Sequence, residues 1–196
     1  MKRIFDMVAS GLGLLVLSPL FVVLAVWIKL DSRGPVFYRQ TRVGRYNKDF
    51  RLFKFRSMRV GADKQGLITV GGHDPRITRS GYFIRKYKLD ELPQLINVFI
   101  GDMSLVGPRP EVRKYVDLYT PEQMHVLDVL PGITDMASIR YRNENELLET
   151  VDDPDRYYVD VIMQDKLRIN LEYVARHSFW FDIQLIFKTF YTIVSE

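Results

Sequence analysis

The run KYKLDELPQLINVFIGDMSLVGPRP, residues Lys86–Pro110, packs an acid pair, a short apolar helix and a stiff basic loop into one stretch. Leu92–Phe99 is predicted helical, with Pro93 in the first turn, where its missing N–H has no intrahelical partner to lose. Gly101 opens a turn, a short apolar stretch follows, and Pro108 and Pro110 hold Arg109 on a chain with little freedom left to lose. Asp90 and Glu91 stand at the mouth of that helix. Backbone N–H groups and the positive dipole end favour an anion there, which predicts an ionised Asp90 available as an oxygen nucleophile near neutral pH. Glu91 has the donor chemistry for a divalent cation, whose charge would ease repulsion between the two acids and an incoming diphosphate. A plain helix cap with a first-turn acid accounts for the same two residues. The basic company adds to the chemical reading: Lys54, Arg56, Arg85, Lys86 and Arg109 flank the acids in sequence, and guanidinium clamps on phosphate carry charge in phosphoryl transfer.

Around this run the chain reads as short elements. Val36–Tyr38 and Phe50–Phe55 are predicted strands, rich in β-branched and aromatic residues. The segment 61–78, with Gly66, Gly71, Gly72 and Pro75, is predicted to be a loop over or near a site. Thr78–Tyr87, Pro121–Val129, Glu144–Thr150, Pro154–Met163 and Gln164–Arg176 are helical candidates, and Pro131-Gly132 breaks the chain between them. Ser178–Val194 is amphipathic. Phe179, Trp180, Ile183, Ile186, Phe187, Phe190, Tyr191, Ile193 and Val194 share one broad face, opposite Asp182, Lys188, Thr189, Thr192 and Ser195. A core helix and a helix lying on a bilayer both fit that pattern.

At the front, MVASGLGLLVLSPLFVVLAVWI (Met7–Ile28) carries no charge over 22 residues, enough for a helix to cross a bilayer core. It is too long for a secretory signal, and no small-residue cleavage pattern follows. Ser18-Pro19 falls in the middle, and basic residues flank both ends: Lys2 and Arg3 before, Lys29 and Arg33 after. Proline disturbs a helix interior, and positive charge prefers the cytoplasmic side, so a bent helix that enters and leaves by one face fits, as does a kinked span. Either way the richer basic cluster keeps the globular part cytoplasmic. Up to Arg59 there are 12 Lys and Arg against 3 Asp and Glu, +9, so the remainder carries −5 within the total of +4. That asymmetry points to an anionic partner near the front of the chain. The absence of cysteine excludes disulfides, thiolate zinc sites and cysteine nucleophiles. No Walker A loop, G-x-G-x-x-G, G-x-S-x-G or H-E-x-x-H occurs, and His73, His125 and His177 are isolated from one another, which leaves catalysis to carboxylates.

These stretches together resemble the small monotopic phosphoglycosyl transferases, the bacterial sugar transferases that begin polysaccharide, lipopolysaccharide or glycoprotein glycan assembly. The matching residues are the apolar segment with Ser18-Pro19, QTRVG (Gln40–Gly44), KFRSM (Lys54–Met58), HDPRITRSGYFIRKYKLDELPQLINVF (His73–Phe99), GDMSLVGPRP (Gly101–Pro110) and PGIT (Pro131–Thr134). The resemblance implies that Asp90 attacks the sugar-bearing phosphate of a UDP-sugar, expels UMP and carries the phosphosugar until polyprenyl phosphate displaces it. It implies Glu91 as a Mg²⁺ ligand, with Lys54, Arg56, Arg85 and Arg109 on phosphates. It also implies a membrane helix made re-entrant by Ser18 and Pro19, at the cytoplasmic face of the bacterial inner membrane. The expected architecture is α+β, a mostly helical small domain with a few short strands, divided into a re-entrant helix over 1–30 and a catalytic domain over 31–196 with an amphipathic interfacial C-terminal helix. The partners are then a UDP-sugar, polyprenyl phosphate and membrane lipids, with no nucleic acid, since no groove-reading or stacking motif appears. Oligomeric state and the sugar stay open. After PGIT the chain departs from the commoner family pattern at Asp135–Asn143, a region expected to shape the sugar pocket. The competing reading is a non-enzymatic membrane module that recognises anionic lipid through the basic third.

Overall fold

The computed structural model describes residues 1–66 and 74–194; Gly71, Gly72 and His73 of the expected loop, Ser195, and the side chains of Phe190, Ile193 and Val194 lie outside the described residues. The architecture is α+β and mostly helical, as expected.

Helix α1 (Lys2–Asp31) is the one described helix long and apolar enough to cross a membrane. It runs unbroken through Ser18-Pro19, where the sequence predicted a break. The reason is local. Pro19 has no N–H to offer the carbonyl of Leu15, and the Ser18 hydroxyl donates to that carbonyl at 2.7 Å instead.

The rest of the chain holds α1 at both ends and along its middle. Arg3 donates to the carbonyls of Val98 (2.5 Å) and Phe99 (2.8 Å), and Lys2 donates to the Val106 carbonyl at 3.0 Å and pairs with Asp182. Gly11 and Gly13 let α1 pass so close to Phe99 and Leu95 that added Cβ atoms would stand 3.2 and 3.3 Å from those side chains. Leu20, Phe21, Leu24 and Ile28 pack with Phe55 and Ile84. At the far end Asp31 accepts from the Ser80 amide (3.0 Å) and hydroxyl (2.8 Å). The opposite face leaves Val8, Leu12, Leu15, Pro19, Val22, Val26 and Leu30 exposed, a stripe at three- and four-residue spacing.

Strands β1 (Phe37–Val43) and β2 (Asp49–Phe55) form an antiparallel hairpin that sets Tyr38 opposite Lys54. β1 outruns the expected Val36–Tyr38 because its outer face is solvated and accommodates Arg39 and Thr41. Helix α2 (Arg79–Lys86) starts at Thr78, whose hydroxyl accepts from the Gly81 amide at 3.0 Å. Helix α3 (Gln94–Ile100) begins later than predicted: Pro93 is its N-cap, and a separate 3-10 turn covers Leu89–Glu91. Strand β3 (Ser104–Val106) pairs in parallel with β4 (Gly132–Thr134), Ser104 facing Gly132 and Val106 facing Thr134. Only the chain break at Pro131-Gly132 was legible there, since a three-residue strand has no periodicity to read.

The C-terminal part comprises α4 (Arg113–Val116), a 3-10 helix over Gln123–Asp128, α5 (Met136–Arg140), α6 (Glu144–Glu149), α7 (Pro154–Tyr157) and α8 (Met163–Arg176). A π-helical turn at Tyr158–Ile162 joins α7 to α8. Their core is Val112, Tyr115, Val126, Leu148, Tyr158, Ile162 and Leu167. Helix α9 (Phe179–Val194) turns inward the side expected to be polar. Asp182 and Leu185 are buried and Thr189 bonds Thr134 at 2.7 Å, while Trp180, Phe187 and Tyr191 are exposed. Lys2 and Tyr173 supply the partners that make burial of Asp182 tolerable.

Gly107 and Gly132 meet at the β3–β4 junction, where a Cβ on Gly132 would strike the Gly107 backbone and one on Gly107 the Leu130 carbonyl. Gly132→Ala is therefore expected to lower stability by about 1–3 kcal/mol through forced backbone shifts. Denaturant unfolding in detergent measures this; an unchanged midpoint would show that the junction is not constrained.

Candidate active site

Four segments converge on the acid pair. Lys88 adopts a left-handed conformation (φ 54°), which turns the chain out of α2 into the 3-10 turn carrying Asp90 and Glu91. β2 contributes Lys54, the loop after β3 contributes Arg109, and the last turn of α2 contributes Arg85.

Glu91 is the hub. Lys54 Nζ donates to its Oε1 at 3.1 Å, Arg109 Nη1 donates to its Oε2 at 3.1 Å, and Arg109 Nη2 also reaches Oε1. Burial alone would raise the Glu91 pKa, but Arg109 and then Lys54 more than offset it and hold this carboxyl well below the usual range. Burial pushes the Lys54 ammonium down, with Glu91 opposing. The Arg109 guanidinium, paired with Glu91, is pushed up.

Asp90 is a different case. It is 6% exposed, and among the described residues no donor bonds its carboxylate. Burial raises its pKa above the ordinary 3.8, opposed by Lys54, and Arg85 and Lys88 pull the same way as Lys54. The expectation of an acid stabilised by a helix mouth is therefore corrected. The Leu95 and Ile96 amides are taken by the carbonyls of Leu92 (3.1 Å) and Pro93 (3.0 Å), no amide donates to the Asp90 carboxylate, and desolvation dominates instead. The Asp90 oxygens are not among the fully enclosed polar atoms that lack a partner, so the carboxylate has no protein donor but stays accessible from solvent beside three cations.

The structure thus brings Asp90, Glu91, Lys54, Arg85 and Arg109 together, and separates Arg56 from them. Arg56 is buried under the end of α1, where it donates to the carbonyls of Ser32 (2.7 Å) and Ile28 (3.3 Å) and also to that of Arg33. Its fork closes the C-terminus of α1 and is not presented to a phosphate. Among the described residues no cluster of three or more metal-ligating side chains occurs; Glu91 and Asp90 offer the one or two carboxylates that a divalent cation completed by water and substrate phosphate needs. Glu91 Oε2 carries a single protein hydrogen bond, and Asp90 stands next to it.

A family model described as bacterial sugar transferase matches residues 1–196. The chain belongs to this family. It is 40% identical over 99% of its length to a UDP-N-acetylgalactosamine-undecaprenyl-phosphate N-acetylgalactosaminephosphotransferase of Aeromonas hydrophila. It is 39% identical over 96% of its length to a UDP-glucose:undecaprenyl-phosphate glucose-1-phosphate transferase of Escherichia coli K12. It covers only 44% and 39% of those two proteins. An uncharacterized sugar transferase of Bacillus subtilis, EpsL, is 35% identical over 96% of this chain and 85% of its own length.

Within this family member, sequence reasoning missed the role of Asp135. Fully buried, its carboxylate accepts from the Arg109 amide at 2.7 Å and from the Ser138 amide, capping α5 and pinning the Pro108-Arg109-Pro110 loop in one stroke. The D-x-x-S spacing signals the cap. Contact with Arg109, 26 residues away, follows only from the β3–β4 pairing. Asp135→Asn loses an acceptor and adds a donor there. It should cost about 1–3 kcal/mol and speed deuterium exchange at the Arg109 and Ser138 amides. Unchanged exchange at Arg109 would show that the loop is held by other means.

Proposed function

We propose that the chain transfers a phosphosugar from a UDP-sugar to undecaprenyl phosphate with release of UMP, at the cytoplasmic face of the bacterial inner membrane. The observation that carries this reading is the buried, unbonded Asp90 carboxylate beside Lys54, Arg85 and the Glu91–Arg109 pair. Both named transferase relatives act on a UDP-sugar and undecaprenyl phosphate, which supports the substrate classes.

In the proposed reaction an Asp90 carboxylate oxygen attacks the sugar-bearing phosphorus. The bond from that phosphorus to the bridging oxygen breaks, UMP leaves with the electron pair, and an aspartyl phosphosugar remains. A phosphate oxygen of the polyprenyl acceptor then attacks the same phosphorus, breaks the aspartyl bond and regenerates the Asp90 carboxylate. Lys54, Arg85 and Arg109 balance the diphosphate charge, and the two-pronged bond to Glu91 fixes the Arg109 fork. Mg²⁺, held by Glu91 with Asp90 adjacent, would supply charge neutralisation when bound. An anionic-lipid recognition module gives no account of the unbonded acid.

We further propose that α1 enters and leaves the membrane by one face. About 45 Å of straight helix would carry one end across a bilayer. Both ends of α1 are instead bonded to the same globular body, and its exposed apolar stripe faces away from that body. The exposed Trp180, Phe187 and Tyr191 of α9 supply a second apolar surface for the lipid interface. Single cysteines placed at Ile4 and Leu30 in this cysteine-free chain should react with an impermeant thiol reagent from the same side of oriented vesicles. Labelling from opposite sides would establish a full span.

Asp90→Asn is expected to reduce UMP release from UDP-sugars by several orders of magnitude with the fold intact, and to abolish the adduct formed when lipid acceptor is withheld. Normal turnover in that variant, or release of UDP in place of UMP, would defeat the covalent scheme. The carboxyl must be ionised to attack, so activity is present at high pH and is lost as pH falls through the raised pKa, above the ordinary 3.8. Lys54→Met removes a charge that favours ionisation and should shift this acid limb to higher pH, read from kcat against pH. A limb that stays in place would separate Lys54 from Asp90.

A further inference from the structure

Three exposed aromatic rings lie outside the acid site yet lead toward it. Trp27 sits beside Val26 and Leu30, at the end of the apolar stripe of α1, and its ring centroid is 5.2 Å from that of Phe83 on α2. Phe83 in turn is 4.7 Å from Tyr87, one turn further along. The three residues are 38, 45 and 54% exposed, so ring packs on ring while part of each stays open. The core does not need them. Ile84 supplies the inner side of α2, packed with Leu24, Ile28 and Phe55. The outer side of a solvated helix is ordinarily polar, and three touching rings there make a contiguous apolar strip.

A general aromatic belt at a lipid interface would use the same residue types. What distinguishes this strip is where it ends. Lys86 holds its ammonium 5.6 Å from the centre of the Tyr87 ring, and Arg85 and Lys88, on either side of them in sequence, act on the Asp90 carboxylate. Asp90 follows Tyr87 by three residues, so their Cα atoms stand no more than about 11 Å apart. The strip is therefore apolar where it leaves α1 and cationic where it meets the acid pair. A ligand with a hydrocarbon body and one phosphate at its tip matches both ends. A uracil base could stack on one ring, but it would leave the continuation toward α1 unused.

We propose that Trp27, Phe83 and Tyr87 form the track on which the hydrocarbon of the polyprenyl phosphate acceptor lies, its phosphate end directed past Lys86 and Lys88 to Asp90. The inference rests on the transferase reading above and gives the acceptor its place in it. Of the lipids in a bilayer, only the acceptor has to bring its phosphate to Asp90. A single-chain lipid can lie along a strip one ring wide, whereas a two-chain phospholipid cannot seat both chains there. The donor has no need of these rings, so the strip matters only when the aspartyl adduct is passed on.

The test compares the full chain with Phe83→Ala, Tyr87→Ala and the double variant. Both side chains are exposed, so the thermal midpoint should be unchanged. Two steps are followed separately: adduct formation from a UDP-sugar with acceptor withheld, and discharge of the adduct by undecaprenyl phosphate or by farnesyl phosphate, which keeps only the isoprene units next to the phosphate. Adduct formation should proceed at the original rate. The concentration of either acceptor giving half-maximal discharge should rise about tenfold in the double variant, the order expected for lost aromatic contact area. Equal slowing of both steps, or weaker binding to acceptor-free vesicles, would make the strip a general membrane anchor and overturn the proposal. An unchanged half-maximal acceptor concentration would overturn it as well. A binding measurement stands apart from turnover. In Trp180→Phe, Trp27 is the remaining tryptophan, and its emission should shift on titration with farnesyl phosphate, with about tenfold weaker affinity when Phe83 and Tyr87 are both replaced. If the unmodified chain forms no adduct from any donor while this shift persists, the transferase reading fails and the lipid track stands. A chain that turns over without the shift sinks the track alone.

Discussion

Three separate pieces of chain meet on the carboxylate of Glu91. Lys54 comes from the second strand of the hairpin, Glu91 from the turn ahead of α3, and Arg109 from the loop that follows β3. A charge withdrawn from water is tolerated only when opposite charge and hydrogen bonds replace what the solvent supplied. Here both oxygens of one acid are matched by a two-pronged guanidinium and an ammonium, so none of the three pieces can drift without leaving a charge exposed to low dielectric. The loop end of that tie is fastened again from behind, because Asp135 holds the Arg109 backbone while Glu91 holds its side chain.

That arrangement leaves the neighbouring acid in deficit. The cations nearest the turn are engaged by Glu91, so Asp90 feels Lys54, Arg85 and Lys88 as charges at a distance and receives no hydrogen bond. The fold retains a buried carboxyl at a cost that an apolar residue would avoid. Selection for stability alone gives no reason to keep it; an arriving electrophile that brings its own charge and ligands does. The two adjacent acids thus divide their work by environment: one holds the site together and the other has no protein partner.

A second polar network does for α1 and α9 what Glu91 does for the site. Lys2 and Tyr173 share Asp182, joining the start of α1, the end of α8 and the start of α9. Asp6 adds a bond to the Ser104 hydroxyl at 2.8 Å, tying the same end of α1 to β3. Lys2 and Asp182 are spent inward on one another, which leaves the outward stripe of α1 apolar and Trp180, Phe187 and Tyr191 of α9 exposed beside Gln184 and Lys188. Proline in the middle of α1 does not interrupt this, since Ser18 serves the carbonyl that Pro19 cannot.

Much of this protein could be read from local chemistry. The uncharged run ahead of Lys29, the two short strands, the breaks between the short helices, and the acid pair followed by a Pro-Arg-Pro loop all depend on spacing within a few residues. Composition and periodicity report such spacing directly. Tertiary structure alone decided which charges meet. It sent Arg56 to the end of α1 and Arg109 to Glu91, turned Asp182 inward, and buried Asp90 where a solvated helix mouth was expected. It also joined β3 to β4 and so brought Asp135 beneath Arg109. The reason is the range of the forces involved: a cap or a turn is settled by neighbours along the chain, whereas desolvation and ion pairing depend on what lies across the fold, which no local pattern records.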